Sequence, residues 1–197
     1  MSNCRMDDVA YLTPPAAVAE IAQRTITLGF NMASEPRTGA MLRVLAATKP
    51  SGHLLELGTG TGLATAWLLD GMDADARLTS VDVDPAVQAV ARAVLGDDKR
   101  LEIITEDGAD FLRRSTGAFD LIFADAMPGK HELLDHALAL LRPGGLYVID
   151  DMLPQPNWPP DHANKVPGLL ANLARRPELR LVRQAWSSGL VIAARRA

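Results

Sequence analysis

Between residues 53 and 149 the chain alternates short apolar runs with stretches of helical periodicity, and few folds accept that rhythm. The runs over 53–57, 77–83, 101–105, 119–124 and 145–149 are short and bounded by glycine, proline and polar residues, so they read as buried strands. Helical stretches separate them: one through 64–69, one that starts at Pro85 and runs past Val94 to Gly96, and one over 131–141 ended by Pro143-Gly144. Strands alternating with helices of about ten residues imply a parallel sheet covered on both faces, because parallel neighbours need a crossover connection.

The flanks extend this frame. Residues 1–13 are polar and aperiodic and read as a loose tail. From Pro14 the pattern turns helical, with Val18, Ile21, Ala22 and Thr25 on one stripe up to Gly29. A second helix follows Pro36, turns Met41, Leu42 and Leu45 inward and stops before Pro50. Residues 14–50 thus form a helical N-terminal extension to a main domain over 51–197. After a helix around 166–175, the runs 179–186 and 189–194 face each other across Ser187-Ser188, the spacing of a terminal antiparallel hairpin. The expected fold is a single doubly wound, Rossmann-like α/β domain whose seven-stranded, mostly parallel sheet ends in that hairpin.

Composition narrows the function. With 197 residues and 48% apolar content the chain can bury a large core without covalent staples. Its 20 Lys and Arg against 24 Asp and Glu give a net charge of −4, which argues against a nucleic-acid partner held by phosphate contacts. Cys4 is the only cysteine, so an internal disulfide and a Cys-rich metal site are excluded. No apolar stretch approaches the ~20 residues of a membrane span. Arg5 is followed by Asp7 and Asp8 rather than an apolar segment, unlike a secretory leader, so a cytoplasmic, membrane-free protein is expected.

Chemistry concentrates where the first strand meets its helix, at Glu56-Leu57-Gly58-Thr59-Gly60-Thr61-Gly62. Glycines there let the backbone turn tightly and let a ligand approach the amides. Asp82 ends the second strand, the place where doubly wound folds present a carboxylate to a ribose. A dinucleotide fingerprint is G-x-G-x-x-G; here the spacing is G-x-G-x-G with an acid, Glu56, in front. This stretch resembles the first motif of class I S-adenosylmethionine-dependent methyltransferases, whose cofactor has no pyrophosphate and carries a cationic amino group that suits an acid. The resemblance continues through Ser80-Val81-Asp82-Val83-Asp84, similar to the ribose-binding motif, and Glu106-Asp107-Gly108-Ala109, similar to the segment bordering the adenine. It extends to Phe119–Asp125 and Leu141–Asp150 and covers residues 52–152. It implies S-adenosylmethionine as cofactor, with Glu56, Gly58, Gly60, Gly62, Asp82, Asp107, Gly108 and Asp125 as binding residues and Asp107 accepting from the adenine amine.

Neighbouring strand ends also gather carboxylates: Asp125 ends the fourth strand, and Asp150 and Asp151 end the fifth. Three acids at one sheet edge repel unless a cation or proton intervenes, and Mg²⁺ or another divalent ion would satisfy them. The pattern resembles the cation-dependent O-methyltransferases, the catechol and caffeoyl-CoA group. Carried over, that resemblance makes Asp125, Asp150 and Asp151 metal ligands and implies that the ion lowers the pKa of a substrate hydroxyl. Asp151 stands where that group has Asn, and the lysine three residues after its first aspartate is delayed here to Lys130. Lys130 is a candidate base or electrostatic aid, or else a solvated lysine at a helix start; His131 is a second candidate base, and His136 does not share its face. The plainer alternative is that Asp125 contacts cofactor or substrate, Asp150 caps a strand and Asp151 is solvated.

The proline-stiffened segment 152–160 follows the carboxylate strand and is placed to build an acceptor pocket, where Trp158 either packs on an aromatic acceptor or anchors the loop. Resemblance lays Met32, Ser34 and Glu35 over the cofactor, and Trp67 reads as core. The expected function is methyl transfer to a hydroxyl of a small, aromatic acceptor. The rivals are metal-independent N- or C-methylation, a nicotinamide-dependent oxidoreductase and a binding protein that has lost turnover. The resemblance also allows a homodimer, with Phe30 or Trp186 as candidate contact residues.

Overall fold

The computed structural model describes residues 7–158 and 160–197. Cys4 and the first six positions of the expected tail lie outside the described residues. The element order is α1 (Ala16–Leu28), α2 (Pro36–Ala47), β1 (His53–Leu57), α3 (Leu63–Gly71), β2 (Arg77–Asp82), α4 (Pro85–Leu95), β3 (Leu101–Thr105), α5 (Gly108–Arg114), β4 (Phe119–Ala124), α6 (Leu134–Ala139), β5 (Leu141–Ile149), α7 (His162–Ala174), β6 (Leu179–Gln184) and β7 (Leu190–Arg195).

The strands form one sheet in the order β3-β2-β1-β4-β5-β7-β6. The first five run parallel, and β7 pairs antiparallel with both β5 and β6. The order reverses between β1 and β4, so the carboxyl ends of those strands open a crevice. Successive strand residues face opposite layers. Leu54, Leu121, Phe123 and Val148 pack with Ile21, Leu42, Leu68 and Val90 on one face. Leu55, Ile122, Tyr147 and Ile149 pack with Phe111, Leu138 and Leu169 on the other. Trp67 is buried in the first layer, as its sequence position predicts. Among the described residues no helix is long and apolar enough to cross a membrane.

Four boundaries differ from the sequence reading. The expected helix over 131–141 shrinks to α6, because Gly129 and Leu133 both take positive φ (83° and 52°) and make a tight turn of the segment between them. β5 accordingly starts at Leu141, ahead of Pro143-Gly144. The short helix α5 was not anticipated; Asp107 caps it by accepting from the amides of Ala109 and Asp110. Helix α7 starts earlier than 166, at His162. The described part of the expected tail is also tied down: Asp8 accepts from the Trp186 indole, and Arg43 donates to the Thr13 carbonyl at 2.8 Å.

Candidate active site

A cavity of about 520 Å³ opens at the carboxyl ends of β1, β2, β4 and β5, where the strand order reverses. That size suits a small organic ligand. Its floor is the glycine turn. The Gly58 amide donates to the Val81 carbonyl at 2.8 Å, and the φ of Gly58 is 105°, a conformation side chains avoid. A Cβ on Gly58 would also lie 2.7 Å from the Asp125 carbonyl oxygen. Asp82 fixes the turn from the side, its Oδ2 accepting from the Gly60 amide at 2.8 Å and its Oδ1 from the Asp84 amide at 3.0 Å.

Gly58, Thr59, Gly60, Thr61, Asp82, Asp84 and Asp125 line the cavity, together with Phe30, Met32, Ser34 and Glu35 from the segment between α1 and α2. Phe30 lies across the glycine turn, 3.4 Å from where a Gly60 Cβ would be. Trp186 is held by Asp8 and stacks under the Arg37 guanidinium at 5.9 Å.

Four residues named from sequence sit behind this wall. Glu56 is 0% exposed, and one carboxylate oxygen accepts from the hydroxyls of Thr65 and Ser80. The other oxygen has no hydrogen-bond partner among the described residues. Burial pushes this carboxyl up to about 7, opposed by those two hydroxyls. Gly62 faces α4, where a Cβ would meet that of Ala91 at 2.8 Å. Asp107 serves the cap of α5, and Gly108 stands behind Pro128.

The carboxylate cluster is where the arrangement departs most from the sequence reading. Asp125, Asp150 and Asp151 do converge on the cavity, but so does Lys130, which is only 3% exposed. Its amine donates to the Asp150 carbonyl at 2.9 Å and stands 3.6 Å from Asp125 Oδ1 and 3.9 Å from Asp151 Oδ2. The solvated-lysine alternative is therefore overturned. The turn carrying Lys130 is pinned: the Gly129 amide donates to Glu132 at 2.7 Å, and the Tyr147 hydroxyl donates to the Gly129 carbonyl at 2.6 Å.

Two of the carboxylate oxygens accept hydrogen bonds from elsewhere in the chain. Ser34 donates to Asp125 Oδ2 at 2.9 Å. Asp150 Oδ1 accepts from the Ser188 hydroxyl and, at 2.8 Å, from the Asp151 amide. Burial, then the charge of Asp150, holds the Asp125 carboxyl well above the ordinary range; Lys130 and Ser34 oppose them. Asp150 is raised too, first by burial and then by Asp151. Among the described residues no group of three His, Cys, Asp or Glu side chains is arranged to hold a metal ion. The ligand set Asp125, Asp150 and Asp151 does not fit a resident divalent cation, because a buried ammonium already stands 3.6 and 3.9 Å from two of its members.

His131 stands apart from the cavity lining, edge-on to His162 with ring centroids 4.8 Å apart. Burial and the neighbouring His162 lower its pKa to about 4, which makes it a poor proton acceptor. Gln155 and Asn157 of the segment 152–160 line the cavity, and so do His162 and Ser188, which sequence reasoning missed. His162 stacks on Trp158 at 4.5 Å and bonds the Asp151 carbonyl at 3.2 Å, and Asn157 donates to the Asn31 carbonyl. Ser188 had a signal: it precedes a strand antiparallel to β5, so it must lie beside the residues that follow β5.

The profile of a methyltransferase-domain family matches residues 55–152. A protein of Mycolicibacterium vanbaalenii, described as a candidate O-methyltransferase, is 33% identical over 144 residues, 70% of this chain and 63% of its own. A similarly described protein of Mycolicibacterium smegmatis is 33% identical over 70% of this chain and 68% of its own. The chain thus spans about two thirds or less of the length of the first of these relatives. Among solved structures, the O-methyltransferase TomG of Streptomyces achromogenes, bound to S-adenosylmethionine, superposes with a TM-score of 0.80 at 23% identity, covering 95% of this chain and 92% of its own. The glycine turn, the Asp82 strand end and these matches together place the chain in the methyltransferase-domain family.

Proposed function

We propose that this chain binds S-adenosylmethionine above its glycine turn and transfers the methyl group to a hydroxyl of a small, aromatic acceptor. The observation that carries the reading is the charge of the cavity. Glu35, Asp82, Asp84, Asp125, Asp150 and Asp151 line it, with Lys130 the only lysine or arginine among the described residues that do. A pyrophosphate would meet that wall unfavourably, whereas a sulfonium nucleoside bearing an ammonium group is its electrostatic complement. The relatives described as candidate O-methyltransferases and the bound cofactor of TomG support the same reading.

In this reading Gly58 and Gly60 leave the backbone bare beneath the ligand, and Asp82 is the acceptor for ribose hydroxyls. Bound there, the cofactor supplies a methyl group on a positively charged sulfur. Trp158, Met127 and Pro128 offer flat apolar surface to the acceptor. Asp125 and Lys130 stand together at the inner wall, so an acceptor hydroxyl placed between them meets a proton acceptor and a hydrogen-bond donor. Positioning supplies most of the remaining rate enhancement in such a displacement.

Calorimetry on ligand-stripped protein tests the reading. Heat of binding is expected with S-adenosylmethionine and with S-adenosylhomocysteine and none with NAD; a panel of phenols with methyl-labelled cofactor should then yield labelled ethers. Binding of NAD without S-adenosylhomocysteine would overturn it.

A further inference from the structure

We propose that the Lys130 ammonium takes the place of a divalent cation in the carboxylate cluster, so that this chain methylates a hydroxyl without a metal. The inference rests on the methyltransferase reading above and deepens it.

The argument starts from space. A Mg²⁺ ion binds oxygens at roughly 2.1 Å. An ion shared by Asp125 Oδ1 and Asp151 Oδ2 would compete for the position of the Lys130 amine, which stands 3.6 and 3.9 Å from those atoms. The lysine has little room to withdraw: it is 3% exposed, and its turn is held by Gly129, Glu132 and Tyr147. Two of the acid oxygens are engaged as well, Asp150 Oδ1 by Ser188 and the Asp151 amide and Asp125 Oδ2 by Ser34.

The chemistry follows from the donors of the amine. An ammonium has three N–H groups. One goes to the Asp150 carbonyl at 2.9 Å, while Asp125 and Asp151 lie beyond hydrogen-bond distance. Two donors therefore remain unspent at the wall of the cavity. An acceptor oxygen seated there receives a charge-assisted hydrogen bond as it loses its proton. That oxygen forms the new bond to the methyl carbon while the carbon–sulfur bond breaks and sulfur keeps the pair. The hydroxyl proton passes to Asp125, and neutral S-adenosylhomocysteine leaves. A metal with open positions can chelate two vicinal oxygens, but an ammonium makes no such demand. The acceptor class is therefore an aromatic with a single hydroxyl as readily as a catechol.

The test is a Mn²⁺ titration of the whole protein followed by electron paramagnetic resonance, which needs neither cofactor nor turnover. The wild type is expected to bind no Mn²⁺ at millimolar concentration, to transfer methyl groups undiminished in EDTA and to accept simple phenols. Lys130→Met should lose roughly 10²-fold or more in kcat. Its affinity for S-adenosylhomocysteine should stay within a few-fold of wild type, a split that a merely structural lysine would not produce. Removing the amine should also open the acids to Mn²⁺. A stoichiometric Mn²⁺ signal in the wild type with EDTA-sensitive turnover overturns the proposal, as does wild-type kcat in Lys130→Met. If the variant does not fold, the wild-type titration and the EDTA assay decide alone. Failure to bind S-adenosylhomocysteine would sink the methyltransferase reading instead, and the Mn²⁺ result would stand separately.

Discussion

Glu56 shows how a residue can open the glycine-turn motif and still point away from the cavity. It lies between Leu55 and Leu57 on a strand buried on both faces, so its carboxyl must enter a helical layer, where Thr65 of α3 meets it. A hydrogen-bond chain continues behind the glycine turn, with Gln88 donating to Thr59 at 2.9 Å, Thr59 to Ser80 at 2.7 Å and Ser80 to Glu56. The motif acid thus anchors the turn from below. Its raised pKa, about 7 against an ordinary 4.5, sets a sign for stability. Below the ordinary value the group is protonated in both states and costs nothing. As pH rises toward about 7 the unfolded chain gives up a proton that the folded chain keeps, so stability falls across that window. Glu56→Gln removes the charge and keeps an acceptor for both hydroxyls. Between about pH 5 and about pH 8 the variant should gain on the wild type by on the order of 3 kcal/mol, read from urea unfolding at the two values. Parallel pH profiles would mean that the carboxylate is solvated from a side the structure shows closed.

At the scale of elements, the close approach of α2 to α3 is made by two glycines. A Cβ on Gly39 would lie 2.2 Å from Trp67 Cδ1, and one on Gly71 would lie 2.1 Å from the Arg43 carbonyl oxygen. Two effects oppose each other in Gly39→Ala. Helix propensity favours alanine by about 1 kcal/mol, while overpacking a filled core costs about 1–3 kcal/mol. Trp67 is buried, and the Arg43 guanidinium stacks on its ring at 5.0 Å, so the ring has little freedom and overpacking should win. A net loss of up to about 2 kcal/mol in chemical denaturation is expected; a gain would show that the ring can move aside.

The same scale explains what could be read from the chain beforehand. Strand-helix alternation carries β1 to β5 and the doubly wound class, because hydrophobic period and crossover geometry are local and strict. It does not carry α5, whose seven residues are too few for a periodic signal. The start of the expected helix over 131–141 failed for a related reason. Leu133 adopts a left-handed backbone conformation that sequence does not flag in a leucine, and the turn so made buries Lys130. The strand ends that gather Asp125, Asp150 and Asp151 were legible; the amine between them was not, since its burial depends on a turn packed by three separate elements.

Taken whole, the molecule gives its N-terminal helices no independence from the sheet. Ile21 of α1 and Leu42 and Ala46 of α2 share one core with Leu54, Leu121 and Phe123 of the central strands. Polar contacts reinforce the joint: Thr25 donates to Thr61 of the glycine turn at 2.8 Å, and Thr38 pairs with Ser187 at 2.9 Å beside β7. The segment between the two helices supplies Phe30, Met32, Ser34 and Glu35 to the cavity wall, so folding of this region and formation of the site are one event. Urea unfolding should therefore be a single transition, with far-ultraviolet circular dichroism coinciding with fluorescence from Trp67, Trp158 and Trp186. S-adenosylhomocysteine at about 100 times its Kd should shift that whole curve by about 2.7 kcal/mol without splitting it. An early fluorescence phase that the ligand leaves unmoved would show that α1 and α2 dock as a separate unit and that the sheet alone holds the cofactor.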